Sequence, residues 1–255
     1  MIMSRPLERV NYGKIYAHAV TLAESIDHIL QRIDLKSGGF VVTPNVDHVC
    51  LAEEDPALVS AYADAFLSIP DGMPLIWMSR ALGLPIKEKV SGSDLVEPLL
   101  EKGAKKGLRV YFLGASERVN QKAKAILEAR YPGLQVVGYD SPMIDLKKLD
   151  DQAPVVAKMK AADPQLLLVA LGCPKQELWM QRFLPALPGV VGLGIGASLD
   201  FIAGELQRSP AWMSKVGLEW LYRLFQEPKR LAHRYLVRDR AIAGIFVRMA
   251  KERLR

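Results

Sequence analysis

The 255-residue sequence is short of several things, and each shortage excludes something. It has 2 cysteines, Cys50 and Cys173, too few for a disulfide scaffold and without the spacing of a metal-ligand set. That usage points to a reducing compartment. No apolar run approaches the ~18–20 residues that cross a bilayer. The stretch Met1–Val10 lacks an apolar h-region, so no signal peptide is expected and the chain should stay on the cytoplasmic side. With 19 glycines it cannot be collagen-like. His18, His28, His48 and His233 form no H-E-x-x-H, so no metal is expected. A Walker A loop, a G-x-S-x-G elbow and a D-x-D carboxylate pair are also missing.

What is present is charge in one place. The net charge is +6, yet residues 1–204 carry a net of −1 and residues 205–255 a net of +7. A basic tail of this kind meets phosphate, whether on nucleic acid, anionic lipid or substrate. Trp212, Trp220, Tyr222, Phe225, Tyr235 and Phe246 lie among its arginines. Amphipathic aromatics beside Arg suit a membrane interface.

The first 204 residues alternate short apolar runs with helical patterns. Strands are expected at Phe40–Thr43, Leu67–Pro70, Arg109–Leu113, Leu134–Tyr139, Leu166–Leu171 and Val190–Ile195. Helices are expected at Ala57–Leu67, Met73–Leu82, Ser93–Lys105, Arg118–Arg130 and Val155–Ala161, and from Pro174 through Phe183. This alternation implies right-handed crossovers and an α/β fold, a Rossmann-like, mostly parallel sheet flanked by helices. After Gly204 the strand signal stops. Trp212, Val216, Trp220 and Leu224 recur every four residues, and Pro228 interrupts. Two units follow: an α/β catalytic domain over 1–204, and an all-helical, basic amphipathic appendage over 205–255.

Ligands of open α/β sheets bind beyond the carboxyl ends of the strands. Residues there include Thr43 and Asn45, Asp71 in Ile69-Pro-Asp-Gly-Met-Pro74, Gly114 and Ser116, Tyr139 and Asp140. Gln176 and Glu177 follow in Cys173-Pro-Lys-Gln-Glu177, then Gly194, Gly196, Ser198 and Asp200. Each alone has an ordinary explanation. Asp71 before Gly72 fits a turn. Gly192-Leu-Gly-Ile-Gly196 misplaces the third glycine of a dinucleotide loop. Glu177 in a first helical turn suits the helix dipole. His48, near Asn45, fits a lone structural histidine.

Taken in order, however, these strings resemble one family. Thr43-Pro-Asn45, Pro70-Asp-Gly72, Leu171-Gly-Cys-Pro-Lys-Gln-Glu177 and Gly194-Ile-Gly-Ala-Ser-Leu-Asp-Phe-Ile-Ala-Gly204 come first. Arg208-Ser-Pro-Ala-Trp212, Gly217-Leu-Glu-Trp-Leu-Tyr-Arg223 and Glu227-Pro-Lys-Arg230 follow. The set is similar to the bacterial WecG/TagA/CpsF glycosyltransferases from Val41 to Tyr235. The resemblance implies an inverting, metal-independent transfer of N-acetylmannosamine, its uronate or glucose from UDP. The acceptor would be a sugar on polyprenyl diphosphate, in surface polysaccharide or teichoic acid synthesis. It places the protein peripherally on the cytoplasmic face of the bacterial inner membrane, against anionic lipid. It leaves the oligomeric state open, a homo-oligomer included.

The same resemblance makes Asp71 the general base, with Thr43, Asn45 and Gln176 around the reacting groups. Gly114, Glu177, Gly194, Asp200 and Lys89 fall on the UDP side, Lys89 standing where the family often has Arg. Arg223, Arg230 and Arg234 match tail arginines that would hold the acceptor diphosphate, while His233 fills a place where Arg is expected. The physical logic agrees: inversion needs one base near the acceptor hydroxyl. It also needs cations or N–H donors on the leaving diphosphate.

Two other classes make different demands. A nicotinamide-dependent reductase requires a Gly-rich turn after the first strand, where this chain has Thr43-Pro-Asn45. A nucleic-acid module built on the basic tail requires steeply salt-dependent binding and no affinity for UDP.

Overall fold

The computed structural model describes residues 7–146, 148, 152–210, 212–213, 217–229, 231–232 and 238–254. Its centre is a six-stranded parallel sheet. The strands are β3 (Gly39–Val42), β4 (Leu67–Ser68), β5 (Arg109–Gly114), β6 (Gln135–Asp140), β7 (Leu166–Ala170) and β8 (Val191–Gly194), in the spatial order β4-β3-β8-β7-β5-β6. Burial on both faces explains why β3, β5, β7 and β8 read as near-continuous apolar runs. Alternate residues feed two cores. Phe40, Val42, Leu167 and Val169 face one side with Trp179 and Met180. Val41, Leu166, Leu168 and Leu193 face the other with Leu95 and Leu99.

The helices begin where short polar side chains satisfy their first N–H groups. Thr21 and Glu24 form a capping box on α1 (Leu22–Asp34), and Ser91 and Asp94 form one on α5 (Gly92–Ala104). Asn45 caps α2 (Val46–Ala52), Asp55 caps α3 (Pro56–Asp64), and Ser116 caps α6 (Glu117–Arg130). The remaining helices of the body are α4 (Met73–Ala81), α7 (Ala153–Ala162), α8 (Lys175–Phe183) and α9 (Ser198–Ile202).

Helices α1, α2 and α9 have no counterpart in the pattern reading, and neither does an antiparallel hairpin of β1 (Arg9–Tyr12) and β2 (Ile15–His18), which precedes the sheet. It covers the end of the sheet at β4, where Ser68 N–H donates to His18 Nδ1 at 2.9 Å and Ser68 Oγ to the Tyr16 carbonyl at 2.5 Å. Strand β2 is buried at all four positions, which removes the alternation that would have marked it.

Beyond Gly204 the described regular elements are helical, including α10 (Glu219–Gln226) and α11 (Ala241–Arg253). Gly217, at φ +72°, interrupts the four-residue repeat, so Trp212 and Trp220 belong to different turns of chain. The α11 helix lies on α2 and β1. Its Ile245 and Met249 join a core cluster, burial worth roughly 1.5–3 kcal/mol for a fully buried side chain of that size. Arg248 pairs with Glu53 at 2.7 Å at its edge. By contrast α10 buries no residue completely, and Phe225 on it is 77% exposed. Among the described residues no helix is long and apolar enough to cross a membrane.

Candidate active site

A cleft of about 660 Å³ opens at the carboxyl ends of β4, β3, β8 and β7. Thr43 closes the end of β3, and its hydroxyl donates to the Gly194 carbonyl on β8 at 3.3 Å. Asn45 is held by its cap on α2, accepting the His48 N–H at 3.2 Å. The Pro70–Asp71 loop is clamped from both sides: Asp71 N–H donates to the Pro44 carbonyl at 2.8 Å, and Val90 N–H to the Pro70 carbonyl at 2.9 Å. That clamp brings Lys89 beside Asp71. Gly72 at φ +105° then turns the chain into α4, a conformation that a side chain would strain.

Burial raises the Asp71 carboxyl to about 7; Lys89 opposes the rise, Glu219 and Asp94 add to it, and Arg223 lowers it. A carboxylate poised near neutrality suits a general base. Lys89 itself sits 3.0 Å from Asp94 and 3.6 Å from Glu219.

Gln176 lines the cleft from the first turn of α8. Its Nε2 donates to Glu177 Oε1 at 2.8 Å, and its Oε1 accepts the Gly196 N–H at 3.2 Å. A Cβ on Gly194 would stand 2.8 Å from that Nε2, so the bare backbone there makes room for Gln176. Asp200, in the first turn of α9, reaches the cleft too.

The tail supplies the remaining wall. Glu219, Trp220, Arg223 and Glu227 come from α10 and its end, Asp239 and Ile242 from the segment entering α11. Arg223 lies 5.7 Å from the Phe201 ring centroid and 4.0 Å from Glu227. Arg238 is ion-paired with Asp47 at the start of α2. Gly217 packs directly on the Trp77 indole of α4, fixing α10 against the body.

Of the residues singled out from sequence, Thr43, Asn45, Asp71, Lys89, Gln176, Asp200 and Arg223 line one cavity. Gly114, Glu177 and Gly194 do not line it. Gly114 ends β5, which lies outside β7, the last strand of the cleft, and a Cβ there would lie 2.5 Å from the Ala170 carbonyl oxygen. Asp140, at the end of β6, accepts from Tyr111 at 2.6 Å and Lys158 at 2.7 Å, away from the cleft. Glu177 is turned inward beneath the floor and is fully buried. Arg230 and Arg234 lie outside the described residues.

The pattern reading missed Asp47, Cys173, Glu219, Glu227 and Asp239 as wall residues. Cys173, Glu219 and Glu227 stand inside strings already noted, and Asp47 lies two residues after one, but no role was read for them; Asp239 had no local signal. Among the described residues one group of side chains is close enough to hold a metal ion: His48, Cys173 and Glu177 offer atoms within 4.8 Å of one another. Their sequence separation hides this from spacing rules. Two of their atoms already have internal partners, since Tyr62 OH lies 2.7 Å from His48 Nδ1 and Gln176 donates to Glu177.

Fold and cleft define a class: an α/β protein with a ligand site at the carboxyl edge of a parallel sheet, equipped for acid–base chemistry. The chain belongs to the glycosyl transferase WecG/TagA/CpsF family, whose profile matches residues 10–255. It is 31% identical over 198 residues to the N-acetylglucosaminyldiphosphoundecaprenol N-acetyl-beta-D-mannosaminyltransferase of Bacillus spizizenii, covering 78% of this chain and 75% of that protein. It is 29% identical over 210 residues to the Bacillus subtilis protein of the same name, covering 82% of this chain and 80% of that one.

Proposed function

We propose that the protein transfers a sugar from UDP to a sugar hydroxyl on a polyprenyl diphosphate, with inversion and without a metal ion. Asp71 takes the proton of the acceptor hydroxyl. The acceptor oxygen attacks the donor C1 as the bond from C1 to the UDP oxygen breaks on the opposite face. The electron pair leaves on the UDP β-phosphate, where Lys89 and Arg223 offset the developing charge. Thr43, Asn45 and Gln176 orient the sugars. The names of the relatives support N-acetylmannosamine as the sugar moved and undecaprenyl-diphosphate N-acetylglucosamine as the acceptor.

The observation that carries this reading is the clamped Asp71, held near neutrality beside Lys89 in the cleft. The tail supports the location. Its net charge of +7, with Trp212 62% exposed and Phe225 77% exposed, suits peripheral binding to an anionic inner-leaflet surface. A lipid-bound acceptor would then meet a cleft whose outer wall is α10.

A donor screen tests the reading. The purified chain is mixed with a panel of UDP-sugars and a short-chain lipid-diphosphate N-acetylglucosamine, and UDP release is followed. Release with UDP-N-acetylmannosamine that depends on acceptor and on Asp71 is expected. Absence of UDP binding would overturn the assignment.

A further inference from the structure

At the cleft floor, side chains from three places in the chain converge. His48 stands in the first turn of α2, Cys173 in the loop after β7, and Glu177 in the first turn of α8. Each offers one donor atom, and those atoms all lie within 4.8 Å of one another. Glu177 is 0% exposed, and its Oε2 has no hydrogen-bond partner.

We propose that these three side chains form a zinc site that takes no part in the transfer chemistry and fastens the first turn of α8 to α2. The inference goes beyond the transferase reading and does not depend on it.

The donor set carries the choice of ion. A thiolate, an imidazole and a carboxylate together suit Zn²⁺, whereas Mg²⁺ and Ca²⁺ ask for a shell of oxygens and find a single carboxylate here. Zinc bonds of about 2.0–2.3 Å set tetrahedral donors roughly 3.3–3.8 Å apart, so the widest separation closes with about 1 Å of side-chain movement.

Charge points the same way. A buried carboxylate with an unpartnered oxygen is costly unless a positive charge stands by it. Arg238 is engaged by Asp47 instead. A dication with one thiolate and one carboxylate makes a neutral centre. The thiol proton of Cys173 passes to solvent as the ion binds.

The existing hydrogen bonds are of the kind that aim metal ligands. An imidazole has two nitrogens and a carboxylate two oxygens, so each can be held through one atom and ligate through the other. The Tyr62 hydroxyl lies 2.7 Å from His48 Nδ1, and Gln176 Nε2 donates to Glu177 Oε1 at 2.8 Å. Such outer partners fix the orientation of the ligands they touch. His48 and Cys173 also line the cleft, which gives the ion an entry path and gives water the fourth position.

The test uses the full chain, freed of metal by chelation and titrated with CoCl₂ and then ZnCl₂. One equivalent of Co²⁺ is expected to produce the intense near-ultraviolet band of thiolate coordination, and one equivalent of Zn²⁺ to remove it and raise Tm. Cys173→Ser should abolish the band and the rise in Tm and weaken zinc binding at least about tenfold. Cys50→Ser, which removes the other thiol, should leave all three unchanged. Absence of the band and of zinc binding in the wild type would overturn the site. So would wild-type zinc affinity in Cys173→Ser, which would place the ion elsewhere. Should Cys173→Ser fail to fold, His48→Gln decides: zinc affinity at least about tenfold weaker supports the site, and unchanged affinity overturns it.

Discussion

The Lys89 ammonium lies 3.6 Å from the Glu219 carboxylate, an ion pair that joins the loop before α5 to the first turn of α10 across the mouth of the cleft. Both groups also act on Asp71, in opposite directions. The ionisation of Asp71 and the position of the tail are thereby linked. A tail that moves away takes Glu219 with it and leaves Lys89 freer to hold Asp71 ionised or to meet a diphosphate.

Asp71→Asn should lower turnover by at least ~10²-fold, the range of a lost general base, while UDP affinity stays within a few fold. The fold should gain from the change at high pH. The Asp71 carboxyl is raised to about 7 from an ordinary 3.8, so the folded state is destabilised as pH rises between those values. Thermal denaturation at pH 8 should show a higher Tm for the variant, with a smaller gain at pH 4. A wild-type rate would remove Asp71 as the base.

Lys89→Met should move the acid limb of the pH–rate profile upward. Lys89 lowers the Asp71 carboxyl, so its loss leaves more of the base protonated at neutral pH. Activity at pH 7 should fall and partly recover by pH 9, while Lys89→Arg should keep the limb in place. An unmoved limb in Lys89→Met would mean that Lys89 acts elsewhere.

Phe225→Ser should weaken sedimentation with anionic vesicles several-fold and leave the circular dichroism spectrum unchanged, because the ring is 77% exposed and supports no core. Retention of full vesicle binding would dissociate α10 from the membrane surface.

Turnover should survive EDTA. Among the described residues, His48, Cys173 and Glu177 form the one cluster close enough to hold an ion, so metal analysis of the protein as purified accompanies the assay. Loss of rate on chelation, restored by one divalent ion, would contradict a metal-free transfer.

Buried His18 gives a stability prediction independent of function. Burial lowers it to about 4 from 6.5, and its Nδ1 accepts the Ser68 N–H, so the fold needs the neutral ring. Its stabilising contribution is complete above pH 6.5 and shrinks as pH falls toward 4, by up to about 3 kcal/mol. His18→Gln should flatten that part of the urea-denaturation pH profile; an unchanged slope would relocate the acid sensitivity.

Much of the body was legible because its signals are local. The run Leu166–Leu171 is apolar at every position, and Ser91 and Ser116 are polar caps before helical patterns, so neighbours in sequence carry the information. Asp71 stood out through the short string around it. The hairpin of β1 and β2 escaped because its strands have four residues each and one is buried throughout. Helix α1 escaped despite the Thr21 and Glu24 box that marks its start.

By itself, then, the sequence determined the alternating α/β order, the basic tail and the strings that contain Thr43, Asn45, Asp71 and Gln176, since each depends on periodicity or adjacency along the chain. Tertiary structure decided which of the strand ends share a cleft. It set β5 outside β7, the last strand of the cleft, which removes Gly114 from the wall. It turned Glu177 inward while Gln176 stayed on the wall, and it brought Glu219, Asp239 and Arg223 over a site built by residues far earlier in the chain. Strand order and helix docking are settled by burial of apolar faces against partners distant in sequence, and local pattern contains no record of which partner that will be.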